Sequence, residues 1–213
     1  MDFISKLREN KVIPVAVFDN SSDASRAAEL LLKYNFKLLE ITMRTQNAAE
    51  CIRTLSNEFP ELTVGAGSID SPKVLQLAVD SGASFAVSAG LDAETISSAA
   101  NMGIPFVPGA ATPTELMTAL KYVSIIKIFP ASLLGGVDYI NAICAPFAMK
   151  DLHLIPTGGI DETNFMNYLS AEKVIACGMS RITDKKLIAA ADYTTLGKLI
   201  HDVAMRLADL PEK

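Results

Sequence analysis

Tryptophan is absent from this chain, and histidine occurs only twice, at His153 and His201. No cluster of histidine, cysteine and aspartate has the spacing of a metal site, so metal-dependent chemistry is disfavoured. The three cysteines, Cys51, Cys144 and Cys177, are odd in number, widely spaced and set among apolar residues. They read as reduced, buried thiols of a cytoplasmic protein and not as a disulfide framework. No apolar run approaches the roughly 18 residues needed to cross a bilayer. Basic residues are scattered and the net charge is −5, which argues against nucleic acid and membrane surfaces as partners. The first residues read as a short, acidic-led amphipathic helix and not as a signal peptide. Half the residues are apolar and a fifth are charged, which excludes disorder and allows a sizeable core in 213 residues.

Strand-length apolar runs alternate with helix-period segments from end to end. The runs cover residues 12–18, 38–44, 62–68, 85–89, 105–111, 125–131, 153–157 and 173–178. Helices are expected from about Ser21, over 48–59, 71–81 and 92–102, from Thr112, from about Val137 and near Thr163. Thr112-Pro113-Thr114-Glu115 is a strong start, with threonine at N-cap, proline at N1 and glutamate at N3. The last helix carries Leu196, Leu199, Ile200, Val203, Leu207 and Leu210 on one stripe. Eight such units without a linker predict one (β/α)8 TIM barrel domain over 1–213, with a short N-terminal helix. An open doubly wound sheet is the alternative, although the first turn lacks its glycine signature.

Two apolar runs carry charges that do not belong in a core. Lys127 lies inside Ile125-Ile126-Lys127-Ile128-Phe129, and Glu40, Thr42 and Arg44 lie inside 38–44. Strand side chains alternate, so Glu40, Thr42 and Arg44 share one face, each about 7 Å from the next. A lysine in such a run is either buried, and then paired, neutral or reactive, or sits on an edge strand facing water. Opposite charges on two core strands favour an active site at the strand ends, where such barrels hold their chemistry. Gly158-Gly159 and Gly178-Met179-Ser180 follow the last two strands, where backbone N–H groups cradle phosphate in barrels of this kind. The plainer reading is tight turns. Val64-Gly65-Ala66-Gly67-Ser68 keeps another strand end open and offers a hydroxyl.

A buried amine beside a carboxylate fits Schiff-base chemistry on a carbonyl substrate. The amine must be neutral to attack, and removal from water favours that form. The resulting imine nitrogen acts as an electron sink, and Glu40 can move protons as general acid and base. Arg44 suits a bidentate grip on a carboxylate beside the carbonyl. These residues point to a 2-keto acid, and the glycines add a distal phosphate.

Leu39-Glu40-Ile41-Thr42-Met43-Arg44-Thr45, Val64-Gly65-Ala66-Gly67-Ser68, Pro108-Gly109, Lys127-Ile128-Phe129-Pro130-Ala131 and Pro156-Thr157-Gly158-Gly159-Ile160 resemble, in order and spacing, the KDPG (2-keto-3-deoxy-6-phosphogluconate) and 4-hydroxy-2-oxoglutarate aldolases. The resemblance runs from about residue 3 to residue 205. It implies a class I lyase that needs no metal or cofactor, and usually a homotrimer. It matches Lys127 to the Schiff-base lysine and Glu40 to the general acid and base. Arg44, Ser68 and Thr42 fall to the pyruvate carboxylate, Phe129 to the hydrophobic lining, and Gly158, Gly159, Gly178 and Ser180 to phosphate. The expected reaction yields pyruvate and glyceraldehyde 3-phosphate.

Several positions depart from the pattern. Ser68 replaces a usual threonine, and Ala89 the proline of Ser-Pro-Gly-Leu. Phe18 stands where some members carry arginine, while Met179 and Arg181 alter a Gly-Gly-Ser-Trp loop. Arg181 reads either as a surface residue or as a grip on phosphate or a second carboxylate. Cleavage of 4-hydroxy-2-oxoglutarate or of the galactonate epimer stays open within the class. A sugar-phosphate-binding barrel with an inert Lys127–Glu40 ion pair stays open outside it.

Overall fold

The computed structural model describes residues 2–210. It is an α/β fold of parallel strands, in one sheet of six (β5-β4-β3-β2-β1-β9) and one of three (β6-β7-β8). In chain order the strands are β1 (Val12–Ala16), β2 (Leu38–Thr42), β3 (Thr63–Gly67), β4 (Phe85–Val87), β5 (Phe106–Val107), β6 (Gly109–Ala110), β7 (Ile125–Ile128), β8 (His153–Pro156) and β9 (Cys177–Met179). Among the described residues ten α-helices accompany them, from α1 (Phe3–Asn10) to α10 (Tyr193–Ala208). None of the described helices is long and apolar enough to cross a membrane.

The fifth apolar run forms two strands, not the single one expected. Pro108 has no N–H for a ladder and separates β5, which pairs with β4, from β6, which pairs with β7. Its carbonyl still accepts from Lys127 N at 2.9 Å. The last run also differs from expectation. Only Cys177–Met179 is strand, and Val174 makes a single parallel bridge with Leu154. A second bridge joins Thr157 to Gly178. The short helix α9 (Lys185–Ala189) was not foreseen; the Asp184 carboxylate starts it by accepting from Lys186 N and Leu187 N.

Helix signals act where the sequence places them. Thr112 caps α6 (Pro113–Ala119), while the Glu115 carboxylate accepts from Ala111 N at 2.7 Å. Gly103 closes α5 (Ala93–Met102) in the left-handed conformation. Asp2 accepts from Ser5 N and so starts α1.

Strand alternation divides the core in two. Val12, Ala16, Leu39, Ile41, Val64, Ala66, Ile126 and Ile128 pack outward against the helices. Ile13, Leu38, Phe85, Val87, Val107 and Ile155 pack together on the concave face of the curled sheets. Helix α1 closes the N-terminal end of that inner cluster with Phe3, Ile4 and Leu7, and the Phe3 ring lies 5.0 Å from that of Phe85. Glu40, two residues beyond Leu38, and Lys127, two beyond Ile125, therefore face inward above an apolar floor.

Candidate active site

Register places the two charges at one level. Val15 pairs with Glu40, and Glu40 with Gly65; Lys127 pairs with Gly109 on one side and Ile155 on the other. Lys127 Nζ lies 3.7 Å from Glu40 Oε1, and the two residues are only 6% and 3% exposed. A carboxylate fits there because Gly67 has no side chain. A Cβ at Gly67 would collide with the Glu40 carboxylate itself. Phe85 fills the space beside Gly65 in the same way, which closes the floor below. Lys127 Nζ also sits 5.4 Å from the centre of the Phe129 ring.

Above this pair is a cavity of about 250 Å³. Glu40, Thr42, Arg44, Ser68, Lys127, Phe129, Gly158, Gly159, Gly178 and Ser180 all line it, so every site residue expected from the sequence reaches one space. Arg44 and Ser68 lie just past the ends of β2 and β3, where the runs had been expected to continue as strand. Arg44 is exposed at the mouth. Ser68 has a positive φ of 59°, uncommon for a residue with a Cβ. The Thr42 hydroxyl is buried beside Glu40 and has no hydrogen-bond partner among the described residues. A buried hydroxyl without a partner is costly, and a polar substrate group would relieve that cost.

Sequence reasoning gave no role to Val15, Ala89, Thr157 or Ile160, which also line the cavity. Thr157 belongs to the Pro156–Ile160 motif, but its importance comes from packing: a Cβ at Gly178 would strike its side chain. Met179 and Arg181, the two departures in the last loop, do not line the cavity. Met179 is fully buried in the outer core. Arg181 pairs with Glu162 at 3.6 Å and with Asp184 at 2.9 Å, so its charge is already answered. Phe18 is buried in the outer core as well.

The remaining reactive groups lie outside the cavity. All three cysteines are free and buried, and burial pushes the Cys51 thiol up to about 11 and raises those of Cys144 and Cys177. Among the described residues no three histidine, cysteine or acidic side chains gather where they could hold a metal ion.

An amine and a carboxylate on the floor of a parallel α/β sheet, beneath an arginine and a glycine-lined rim, define an imine-forming lyase site. The family model for KDPG and KHG aldolase matches residues 3–199. The 2-dehydro-3-deoxy-phosphogluconate aldolase of Haemophilus influenzae is 36% identical over 201 residues, 94% of each chain. The KHG/KDPG aldolase of Escherichia coli K12 is 35% identical over 93% of this chain and 92% of its own. A crystal structure of KDPG aldolase from Legionella pneumophila, with pyruvate captured as a covalent carbinolamine, superposes with a TM-score of 0.89 at 31% identity. It covers 95% of this chain and 98% of that one. The chain belongs to the KDPG and KHG aldolase family.

Proposed function

We propose that this chain is a class I aldolase that reversibly cleaves 2-dehydro-3-deoxy-6-phosphogluconate to pyruvate and glyceraldehyde 3-phosphate. The observation that carries the reading is the buried amine and carboxylate, 3.7 Å apart on the floor of the cavity. Lys127, as the neutral amine, adds to the C2 carbonyl, and loss of water leaves an imine. Glu40 takes the proton of the C4 hydroxyl while the electron pair of the C3–C4 bond moves toward the imine nitrogen. Glyceraldehyde 3-phosphate leaves with its new carbonyl. Glu40 then returns the proton to C3 of the enamine, and water hydrolyses the pyruvyl imine to free Lys127.

Arg44, Ser68 and the unpartnered Thr42 hydroxyl hold the carboxylate, with Phe129 as the apolar wall beside the imine. Gly158, Gly159, Gly178 and Ser180 hold the phosphate with backbone N–H groups and a hydroxyl. Cleavage of 4-hydroxy-2-oxoglutarate would need a cation for a second carboxylate. Arg181, the candidate for it, is engaged by Glu162 and Asp184, which favours the phosphorylated substrate.

This reading extends to architecture. Counting β5 and β6 as one strand, and the bridges from the β8 run to the last run as a closure, supports one eight-stranded (β/α)8 barrel; the expected domain of 1–213 extends at both ends past the described residues 2–210. The family resemblance supports a homotrimer, and the free buried thiols fit a reducing, cytoplasmic setting. Incubation with pyruvate and borohydride, followed by peptide mapping, should give one reduced adduct, on Lys127. An adduct on another lysine, or none, overturns the assignment. Efficiency should be at least roughly tenfold higher for the 6-phosphorylated substrate than for 4-hydroxy-2-oxoglutarate, about 1.4 kcal/mol of transition-state binding.

A further inference from the structure

Two successive backbone N–H groups, those of Gly159 and Ile160, donate to nothing among the described residues, and both residues line the cavity. Consecutive free N–H groups in a turn with left-handed residues make a concavity suited to an anion. Gly158 and Gly159 have φ of 97° and 74°, a region that glycine enters freely but does not hold by itself. Something else must hold this turn, and its carbonyls show what does.

In each peptide plane the carbonyl points opposite to the next residue's N–H. The Gly158 carbonyl accepts from Ser132 N at 3.0 Å, which sets the plane of the Gly159 N–H. The Gly159 carbonyl accepts from the Asn164 side-chain Nδ2 at 2.9 Å, which sets the plane of the Ile160 N–H. The same side chain accepts from Asp161 N through Oδ1 at 3.1 Å. Asn164 therefore spans the far side of the turn with both ends of its amide.

Asn164 also occupies the N-cap position of α8 (Phe165–Ser170), where asparagine ordinarily accepts from the helix it starts. Here it makes no such bond. Its amide reaches back to the glycine turn. The Asp161 side chain orders the connection between them by accepting from Thr163 N and Thr163 Oγ1.

We propose that Asn164 is a positioning residue for the phosphate end of the substrate: it holds Gly158–Ile160 in the conformation that presents the Gly159 and Ile160 N–H groups to the cavity. This inference rests on the phosphate reading of that rim. Asn164 touches neither the substrate nor Lys127. It acts through the Gly159 carbonyl and the Asp161 N–H, so its loss should weaken phosphate recognition and leave imine formation alone.

The test compares wild type with Asn164→Ala on the 6-phosphorylated substrate and on its dephosphorylated counterpart, with inorganic phosphate as a competing inhibitor. In the variant, kcat/KM for the phosphorylated substrate should fall roughly tenfold or more, mainly through KM, because uniform binding is lost. Efficiency toward the dephosphorylated substrate and borohydride trapping with pyruvate should stay within about twofold, and inhibition by phosphate should weaken. Equal losses on both substrates would mean that Asn164 only supports the fold, and no loss would mean that the turn holds itself; either result overturns the proposal. If Asn164→Ala does not fold, Asn164→Asp replaces it. This near-isosteric variant keeps the acceptor for Asp161 N and lacks the donor to Gly159, and the same split is expected of it. A wild type with no preference for the phosphorylated substrate overturns the phosphate reading and this inference together. A preference that survives in the variants overturns the Asn164 role alone.

Discussion

At the scale of single residues, Lys127 and Glu40 differ in what each can be spared. Lys127→Met places an apolar chain of similar length among apolar neighbours, so cleavage should vanish while circular dichroism still reports the folded chain. Detectable borohydride trapping in that variant would count against it. Glu40→Gln keeps the shape and removes proton transfer, so kcat should drop by roughly 10²–10⁴. Exchange of the pyruvate methyl protons at an unchanged rate would contradict that role. Gly67 carries a subtler prediction. Any Cβ there meets the Glu40 carboxylate, so Gly67→Ala should displace the proton carrier without touching it. A displacement of that order costs roughly 10²-fold in kcat. Turnover near the wild-type level would show that Glu40 has slack. Gly67 was visible in the sequence only as part of an open strand end; its contact with Glu40 crosses from β3 to β2 and depends on register.

Whole elements show where sequence patterning was legible and where it stopped. The N-terminal segment reads as an acidic-led amphipathic helix, and α1 is there, started by Asp2. Its role as the plug beneath the inner core was not legible, because the partners of Leu7 lie on strands far along the chain. Leu7 is fully buried, so Leu7→Ala should cost about 2–5 kcal/mol in urea denaturation. Activity per folded molecule should be retained; parallel loss of activity in fully folded protein would place α1 in catalysis. β8 carries a pH signature. Burial holds the His153 pKa below its usual 6.5, against the Asp151 carboxylate at 3.1 Å and with help from Arg8 and Lys173. As pH falls below 6.5 the unfolded chain takes up the proton before the folded one, so stability falls there and is fully present above. His153→Gln should flatten the pH dependence of Tm in that window. An unchanged slope would assign it to other groups.

For the whole molecule, several large apolar side chains stay exposed on the helices and loops, among them Met117, Tyr122, Leu133 and Met149. Met117 and Tyr122 line one surface depression, and an apolar face of that kind is in keeping with the proposed homotrimer. Light scattering at micromolar concentration should return three times the chain mass of 22.8 kDa. A mass equal to one chain would refute assembly.

The sequence by itself determined which residues share a face. Two-residue alternation in 38–42 and 125–128 put Glu40, Thr42 and Lys127 on the same side of their strands, and proline and glycine marked the turns. Those are short-range consequences of backbone geometry, and they hold wherever the strand ends up. Tertiary structure decided what meets what. Register across the sheets set the 3.7 Å between Lys127 and Glu40, and split a single apolar run at Pro108. Loop packing turned Arg181 toward Glu162 and Asp184 and drew Asn164 back to the Gly159 carbonyl. Such distances depend on the stagger, curl and packing of elements far apart in the chain, and no local pattern encodes them.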